Sequence, residues 1–237
     1  MSRIKCTAIV VAAGTGKRMG ADRPKQFLDL AGRPILYYPL KAFQDSPCIN
    51  DIIVVTGQDL IPYIRKNIVD IYSLTKVSSI VKGGRERFES VYEGIKAADG
   101  ADYLFVQDGV RPFIDEKIIS DGLQTALKYG SAVAGMPSKD TVKITDSRGV
   151  VQSTPERANV WIVQTPQIFR YEELKAAYQA LFSNAEEGER RKVTDDAMVM
   201  ENYGGRQVHM YKASYRNIKI TTPEDLPVAE ELMKSKE

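Results

Sequence analysis

The chain has 237 residues, 43% of them hydrophobic and 27% charged, a composition that suits one large folded domain with a substantial core. A formal net charge of +2 argues against a dedicated nucleic-acid binder, and no apolar run reaches the length of a membrane span. Two cysteines, Cys6 and Cys48, and a single histidine, His209, argue against a disulfide framework, structural zinc and histidine-based chemistry, which leaves carboxylates, lysines, arginines and hydroxyls.

Taken in chain order, residues 7–11 are a short β-branched run ending in glycines, the pattern of a buried parallel strand. Glycines and basic residues interrupt the first apolar stretch, unlike a signal peptide, so the chain is expected to be cytoplasmic. Residues 35–43 predict a helix, 52–56 a second strand, 60–71 a helix and 77–81 a third strand running into Gly83 and Gly84. Residues 87–98 predict a helix and 103–107 a fourth strand that ends on Asp108. This rhythm predicts an α/β fold with a mainly parallel, Rossmann-like sheet flanked by helices. Ligands in such sheets bind beyond the carboxyl ends of the strands. The first glycine loop, Gly83-Gly84 and Asp108 all fall there.

Residues 137–155 differ, with two polar strands about a turn at Asp146-Ser147-Arg148-Gly149. A lone two-stranded excursion is marginally stable, so this protruding β-hairpin arm, at about 137–158 of a single domain spanning 1–237, is expected to pack on a partner subunit. Residues 185–192 read as a solvated loop, and Thr194-Asp195-Asp196 as the N-cap of a helix. His209 reads as a structural residue in a strand at 208–211, and Thr222-Pro223 as the start of a last helix with proline at its first position.

A glycine loop after the first strand, Ala12-Ala13-Gly14-Thr15-Gly16-Lys17-Arg18-Met19-Gly20, can bring backbone N–H groups against phosphate oxygens. It fails the dinucleotide fingerprint, because position 19 is Met and the second strand ends without an acid. It also fails the Walker pattern, since Lys17 is followed by Arg18 and not by Ser or Thr. Lys17, Arg18 and Lys25 still suit a triphosphate. Taken alone, the loop leaves open a phosphate site of unspecified kind or a tight turn with solvated charges. Asp108, at a strand end, suits either a magnesium-associated carboxylate or a turn cap.

The loop, followed by Pro24-Lys25-Gln26, resembles that of the 2-C-methyl-D-erythritol 4-phosphate cytidylyltransferase (IspD) family of nucleotidyltransferases. The likeness continues in order through Gly83-Gly84 to Ser90-Val91, Asp108 with Arg111-Pro112, Asp140-Thr141-Val142-Lys143, Arg157, Gln164-Thr165-Pro166-Gln167, Thr194-Asp195-Asp196 and Asn217-Ile218-Lys219-Ile220-Thr221. The resemblance implies that Ala13, Gly14, Gly16, Arg18, Lys25, Gly83, Gly84, Ser90 and Gly109 bind CTP. It implies that Asp108, Arg111, Thr141, Arg157, Thr165 and Lys219 receive the polyol phosphate, that Arg18, Lys25 and Lys219 are catalytic, and that Asp108 associates with Mg²⁺ or another divalent cation. It further implies a homodimer whose hairpin arm carries Thr141 and Arg157 to the neighbouring subunit's site. Where the family has His-Asp-Ala-Ala-Arg-Pro, this chain has Gln107-Asp108-Gly109-Val110-Arg111-Pro112.

The implied reaction joins CTP and 2-C-methyl-D-erythritol 4-phosphate into 4-diphosphocytidyl-2-C-methyl-D-erythritol and pyrophosphate. Two other readings stand beside it. One is a ribitol-5-phosphate cytidylyltransferase, which shares the Val110-Arg111-Pro112-Phe113 string. The other is a non-catalytic nucleotide sensor, which would be expected to have lost Lys25, Asp108 or Lys219.

Overall fold

The computed structural model describes residues 4–14 and 23–234. Strand β1 (Cys6–Val11) leads to a small ribbon, β2 (Asp29–Leu30) with β3 (Arg33–Pro34), then α1 (Tyr37–Asp45) and β4 (Asp51–Thr56). Next come α2 (Ile61–Ile64), β5 (Val77–Lys82), α3 (Arg87–Ala97), β6 (Tyr103–Asp108), α4 (Glu116–Tyr129) and β7 (Ser131–Pro137). The excursion β8 (Ile144–Thr145) and β9 (Val151–Ser153) precedes β10 (Trp161–Arg170) and α5 (Tyr171–Asn184). The chain then forms α6 (Glu187–Arg190), α7 (Asp196–Tyr203), β11 (Met210–Lys212) and α8 (Asp225–Lys234).

The seven-stranded sheet has the order β11-β7-β10-β6-β1-β4-β5. Its neighbours pair in parallel except at β10, which runs antiparallel to both β6 and β7. The expected α/β, Rossmann-like, mainly parallel sheet is therefore the one observed. Alternation along β1 divides the core between the two faces. Ala8 and Val10 join Leu40 and Phe43 of α1 and Ile119 of α4 on one side. Ile9 joins Val91 and Ile95 of α3 and Tyr178 of α5 on the other. A central strand is buried on both faces and so reads as one apolar run: Ile52 through Val55 are fully buried.

From β1 the chain steps outward through β4 and β5 and then returns to lay β6 on the opposite side of β1. This reversal opens a crevice between the carboxyl ends of β1 and β6. Ala12 to Gly14 and Asp108 to Gly109 lie there, as the strand pattern predicts.

Several boundaries move, each for a local reason. The first helix begins at Tyr37 rather than at 35, because the Ile35 and Leu36 amides donate to the Leu28 and Gln26 carbonyls. The stretch expected as one helix over 60–71 is a 3₁₀ turn, then α2, then a π turn at Arg65–Val69, closed by the Asp70 amide donating to the Arg65 carbonyl. Residues 185–192 are not all loop: the Glu186 and Glu189 side chains form a capping box that folds α6. The last helix starts at Asp225 and not at Pro223, since the Asp225 carboxylate accepts from the Thr221 and Thr222 amides and holds a turn before it. The strand near His209 begins at Met210, and His209 stacks on Tyr129 with ring centroids 4.1 Å apart. The two strands of the excursion are shorter than predicted, and every residue of β8 and β9 is exposed. Among the described residues no helix is long and apolar enough to cross a membrane.

Candidate active site

The first loop is anchored by the residue that closes Pro24-Lys25-Gln26. Gln26 is buried, and its amide donates to the carbonyls of Ala12 at 2.8 Å and Gly14 at 3.2 Å. Lys25, one residue earlier, thereby lines the same cavity as Ala13, Gly14 and Ser90. The second wall comes from β5 and α3. The Gly83 amide donates to the Thr56 carbonyl at 2.8 Å. A Cβ at Gly83 would lie 2.7 Å from Ser90 Oγ and 2.8 Å from Ala13 Cβ, so only glycine lets the two walls approach this closely. Arg85 and Glu86 amides donate to the Glu89 carboxylate, which shapes the turn into α3.

Asp108 sits on the far wall, buried, and it collects cations from three segments of chain. Arg87 Nε lies 3.2 Å from Oδ1, Lys219 Nζ lies 2.9 Å from Oδ2, and Arg111 Nε lies 3.6 Å from Oδ2. Burial alone would raise the Asp108 pKa; Arg87, Lys219 and Arg111 together hold it well below the ordinary carboxylate range. The group is ionised throughout the neutral range and balances part of a strongly positive site. Arg111 also donates to the Asn217 carbonyl at 2.8 Å, and the Ile220 amide donates to the Val110 carbonyl, which brings Lys219 beside the end of β6.

A second cavity adjoins the first. Both are lined by Arg87, Asp108 and Lys219, and the second adds Arg111, Gln164 and Thr165. Thr165 reaches it at a register irregularity in β10 between Val163 and Gln167, and its hydroxyl accepts from the Asp108 amide at 3.0 Å. A bulge of this kind re-aims a side chain out of the pleat.

The structure thus gathers Ala13, Gly14, Lys25, Gly84, Ser90, Asp108, Arg111, Thr165 and Lys219 along two adjoining cavities, with Gly83 packed behind Ser90. Gly109 lies against the first loop, where a Cβ would come within 3.0 Å of the Val11 carbonyl oxygen and 2.9 Å of Leu36 Cδ1. Gln107, in place of the family's histidine, is fully buried, and its Oε1 has no hydrogen-bond partner. Gly16 and Arg18 lie outside the described residues. Thr141 and Arg157 are exposed on the excursion and line neither cavity.

Sequence reasoning missed Arg87, treating it only as the first residue of a helix, and Asp196, treating it as part of a cap. Asp195 is the cap: its carboxylate accepts from the Met198 amide. Asp196 points inward, fully buried, onto the Arg87 guanidinium. The signal that could have found them was a run of three charges, Arg85-Glu86-Arg87, directly after two glycines at a strand end.

A cation-lined cavity at a sheet's switch point, beside the start of a glycine loop and adjoining a second cationic cavity, suits the binding of two phosphate-bearing substrates, as in a nucleotidyltransferase. A sequence model of the family "IspD: 2-C-methyl-D-erythritol 4-phosphate cytidylyltransferase" matches residues 6–235, and the chain belongs to that family. A 2-C-methyl-D-erythritol 4-phosphate cytidylyltransferase of Clostridium novyi (strain NT) is 45% identical over 232 residues, covering 98% of this chain and 97% of its own. One from Alkaliphilus oremlandii (strain OhILAs) is 43% identical over 233 residues, covering 98% and 96%. The crystal structure of 4-diphosphocytidyl-2C-methyl-D-erythritolsynthase from Anaerococcus prevotii DSM 20548 superposes with a TM-score of 0.84 at 32% identity, covering 98% of this chain and 96% of that one.

Proposed function

We propose that this enzyme transfers a cytidylyl group from CTP to 2-C-methyl-D-erythritol 4-phosphate, releasing pyrophosphate and 4-diphosphocytidyl-2-C-methyl-D-erythritol for isoprenoid synthesis. The observation that carries the reading is the pair of cavities sharing Asp108 and Lys219, one beside the glycine loop and one beside Thr165 and Arg111. CTP takes the first, with Ala13, Gly14, Gly16, Gly83, Gly84, Ser90 and Gly109 around base, ribose and phosphates. Arg18 and Lys25 bind the triphosphate. The acceptor's phosphate takes the second, against Arg111, Thr165 and Lys219.

An acceptor phosphate oxygen attacks the α-phosphorus in line, and the bond to the β-phosphate breaks with its electron pair leaving on pyrophosphate. The acceptor monoester is already largely dianionic near neutral pH, so no general base is needed. Orientation and cationic stabilisation carry the step. Lys219, beside both cavities, is placed to offset charge that builds between the two phosphates.

Among the described residues no group of three or more His, Cys, Asp or Glu side chains is placed to hold a metal ion. A single carboxylate with room for substrate phosphates fits magnesium, which keeps several waters and takes one or two carboxylates. Asp108, whose two oxygens face Arg87 and Lys219 here, is the residue that would hold the ion by giving up one of those contacts, and the ion when bound would neutralise phosphate charge.

The active form is a homodimer through the arm, with Thr141 and Arg157 serving the partner's acceptor cavity. Ile144, Val150, Val151, Ile162 and Val163 are all 41% exposed or more, an apolar surface on and beside the arm that supports this assembly. Cys6 and Cys48 are unpaired, which suits the reducing cytoplasm. Pyrophosphate release with CTP and each of two acceptors tests the assignment. Preference for 2-C-methyl-D-erythritol 4-phosphate is expected; preference for ribitol 5-phosphate, or no release with either, would refute it.

A further inference from the structure

Asp196 is a fully buried carboxylate outside the residues assigned above, and every group around it is oriented. Arg87 Nη1 and Nη2 donate to its two oxygens at 3.1 and 2.8 Å, and the Tyr178 hydroxyl donates to Oδ1 at 2.6 Å. Its own amide donates to Gln167 Oε1 at 3.0 Å, so β10 sets the backbone from which the carboxylate projects. The remaining edge of the same guanidinium, Nε, donates to Asp108 Oδ1. One planar group therefore spans two carboxylates, and its plane is set by the deeper one.

We infer that Arg87 is a positioning residue for the transfer reaction, locked by Asp196 and Tyr178 so that it holds the Asp108 carboxylate in one rotation. The inference rests on the transfer reading above. With Oδ1 taken by Arg87, Oδ2 is left facing Lys219, and the ammonium is fixed at the boundary of the two cavities. A buried ion pair kept for stability alone is poorly explained, because apolar residues of similar volume serve that purpose as well or better. A rigid fork beneath a site where small displacements are costly has a use that an apolar pair cannot supply. Lysine is no substitute, since a single ammonium cannot present three donors in a plane to two carboxylates.

The test compares Arg87→Lys, which keeps the charge, with Tyr178→Phe, which removes the hydroxyl donor from the far side of Asp196. The wild-type enzyme's pyrophosphate release with CTP and acceptor settles the transfer reading separately. Thermal unfolding identifies folded protein, steady-state assays give kcat and KM for each substrate, and calorimetry gives CTP affinity without turnover. In folded Arg87→Lys, kcat is expected to fall about 100-fold, the scale of a 1 Å misplacement, while CTP affinity stays within about threefold. Tyr178→Phe is expected to lower kcat several-fold, and the double variant to be no slower than Arg87→Lys alone, because both changes act through one element. If Arg87→Lys does not fold, Tyr178→Phe carries the test by itself. Wild-type kcat in a folded variant would overturn the inference, as would a defect confined to CTP affinity, which would make Arg87 a nucleotide contact.

Discussion

Replacing Gly83 with alanine tests whether the nucleotide pocket depends on the contact between its two walls. The new Cβ would sit 2.8 Å from Ala13 Cβ and 2.7 Å from Ser90 Oγ. Carbon pairs reach optimal contact at about 3.5 Å or beyond, so a wall must retreat by roughly 0.7 Å. Neither yields easily: Ser90 is held through its hydroxyl to the Glu86 carbonyl, and Ala13 adjoins Ala12, whose carbonyl is bonded by Gln26. Overpacking of this kind costs about 1–3 kcal/mol, and a protein of this size loses about 2–4 °C of Tm for each kcal/mol. The strain lies between the surfaces proposed to grip CTP, so KM for CTP should rise about tenfold while acceptor KM is unchanged. Pyrophosphate release at varied CTP, beside a thermal melt, measures both. Gly188→Ala, at a position where the new methyl would meet nothing within 4 Å, is the control. Wild-type CTP KM and Tm for Gly83→Ala would show that the close approach is not required.

Lys219→Met should reduce kcat by about 10²–10³, the cost of losing one donor aimed at developing charge, and should lower Tm modestly, since buried Asp108 loses one of its three cations; an unchanged kcat contradicts its role. Arg157→Ala should raise acceptor KM strongly and spare CTP binding, whereas equal weakening of both would misplace the arm. Val151→Asp should shift the mass in solution toward the monomer and weaken acceptor use together, and a dimer that survives intact would argue for another interface. Burial pushes the Cys6 thiol from an ordinary value of 9.0 up to about 12. A group whose pKa is raised on folding contributes stability below its unfolded pKa and loses it as pH rises toward the folded one. Cys6→Ala should therefore flatten the fall in Tm between about pH 9 and pH 12, and a slope identical to wild type refutes the assignment.

Strands β1, β4 and β6 were legible because each is buried on both faces and so stands out as an apolar run. Strand β5, an edge strand with only Val77 buried, was legible instead from its β-branched Val77, Ile80 and Val81 and the two glycines that follow it. Beyond Asp108 the pattern weakened. Strand β10 starts exposed at Ile162 and Val163 and is buried only from Gln164 onward, carrying Gln164, Thr165 and Gln167 into the core where a strand pattern expects apolar residues. Those polar residues are buried for the site's sake, bonding Ser214, Asp108 and Asp196. Asp108 was legible as the last residue of a strand, but its partner Arg87 was not. The Arg87–Asp196 pair joins positions 109 residues apart, and a pair formed by topology leaves no spacing to read. Thr141 and Arg157 were legible only through family likeness, since a single chain leaves them exposed.

The excursion bearing β8 and β9 joins two strands, β7 and β10, that are antiparallel neighbours in the sheet. Its base is closed where the Ser138 amide donates to the Val160 carbonyl at 2.8 Å. In topological terms it is an overgrown hairpin turn, and the free energy of closing a turn rises only slowly with its length. The arm is in that sense a cassette, whose length and contents can change without disturbing the register of the sheet or the CTP pocket. On the proposed dimer, exchanging this one contiguous segment replaces Thr141 and Arg157 together, while Arg111, Thr165, Lys219 and the nucleotide cavity stay as they are.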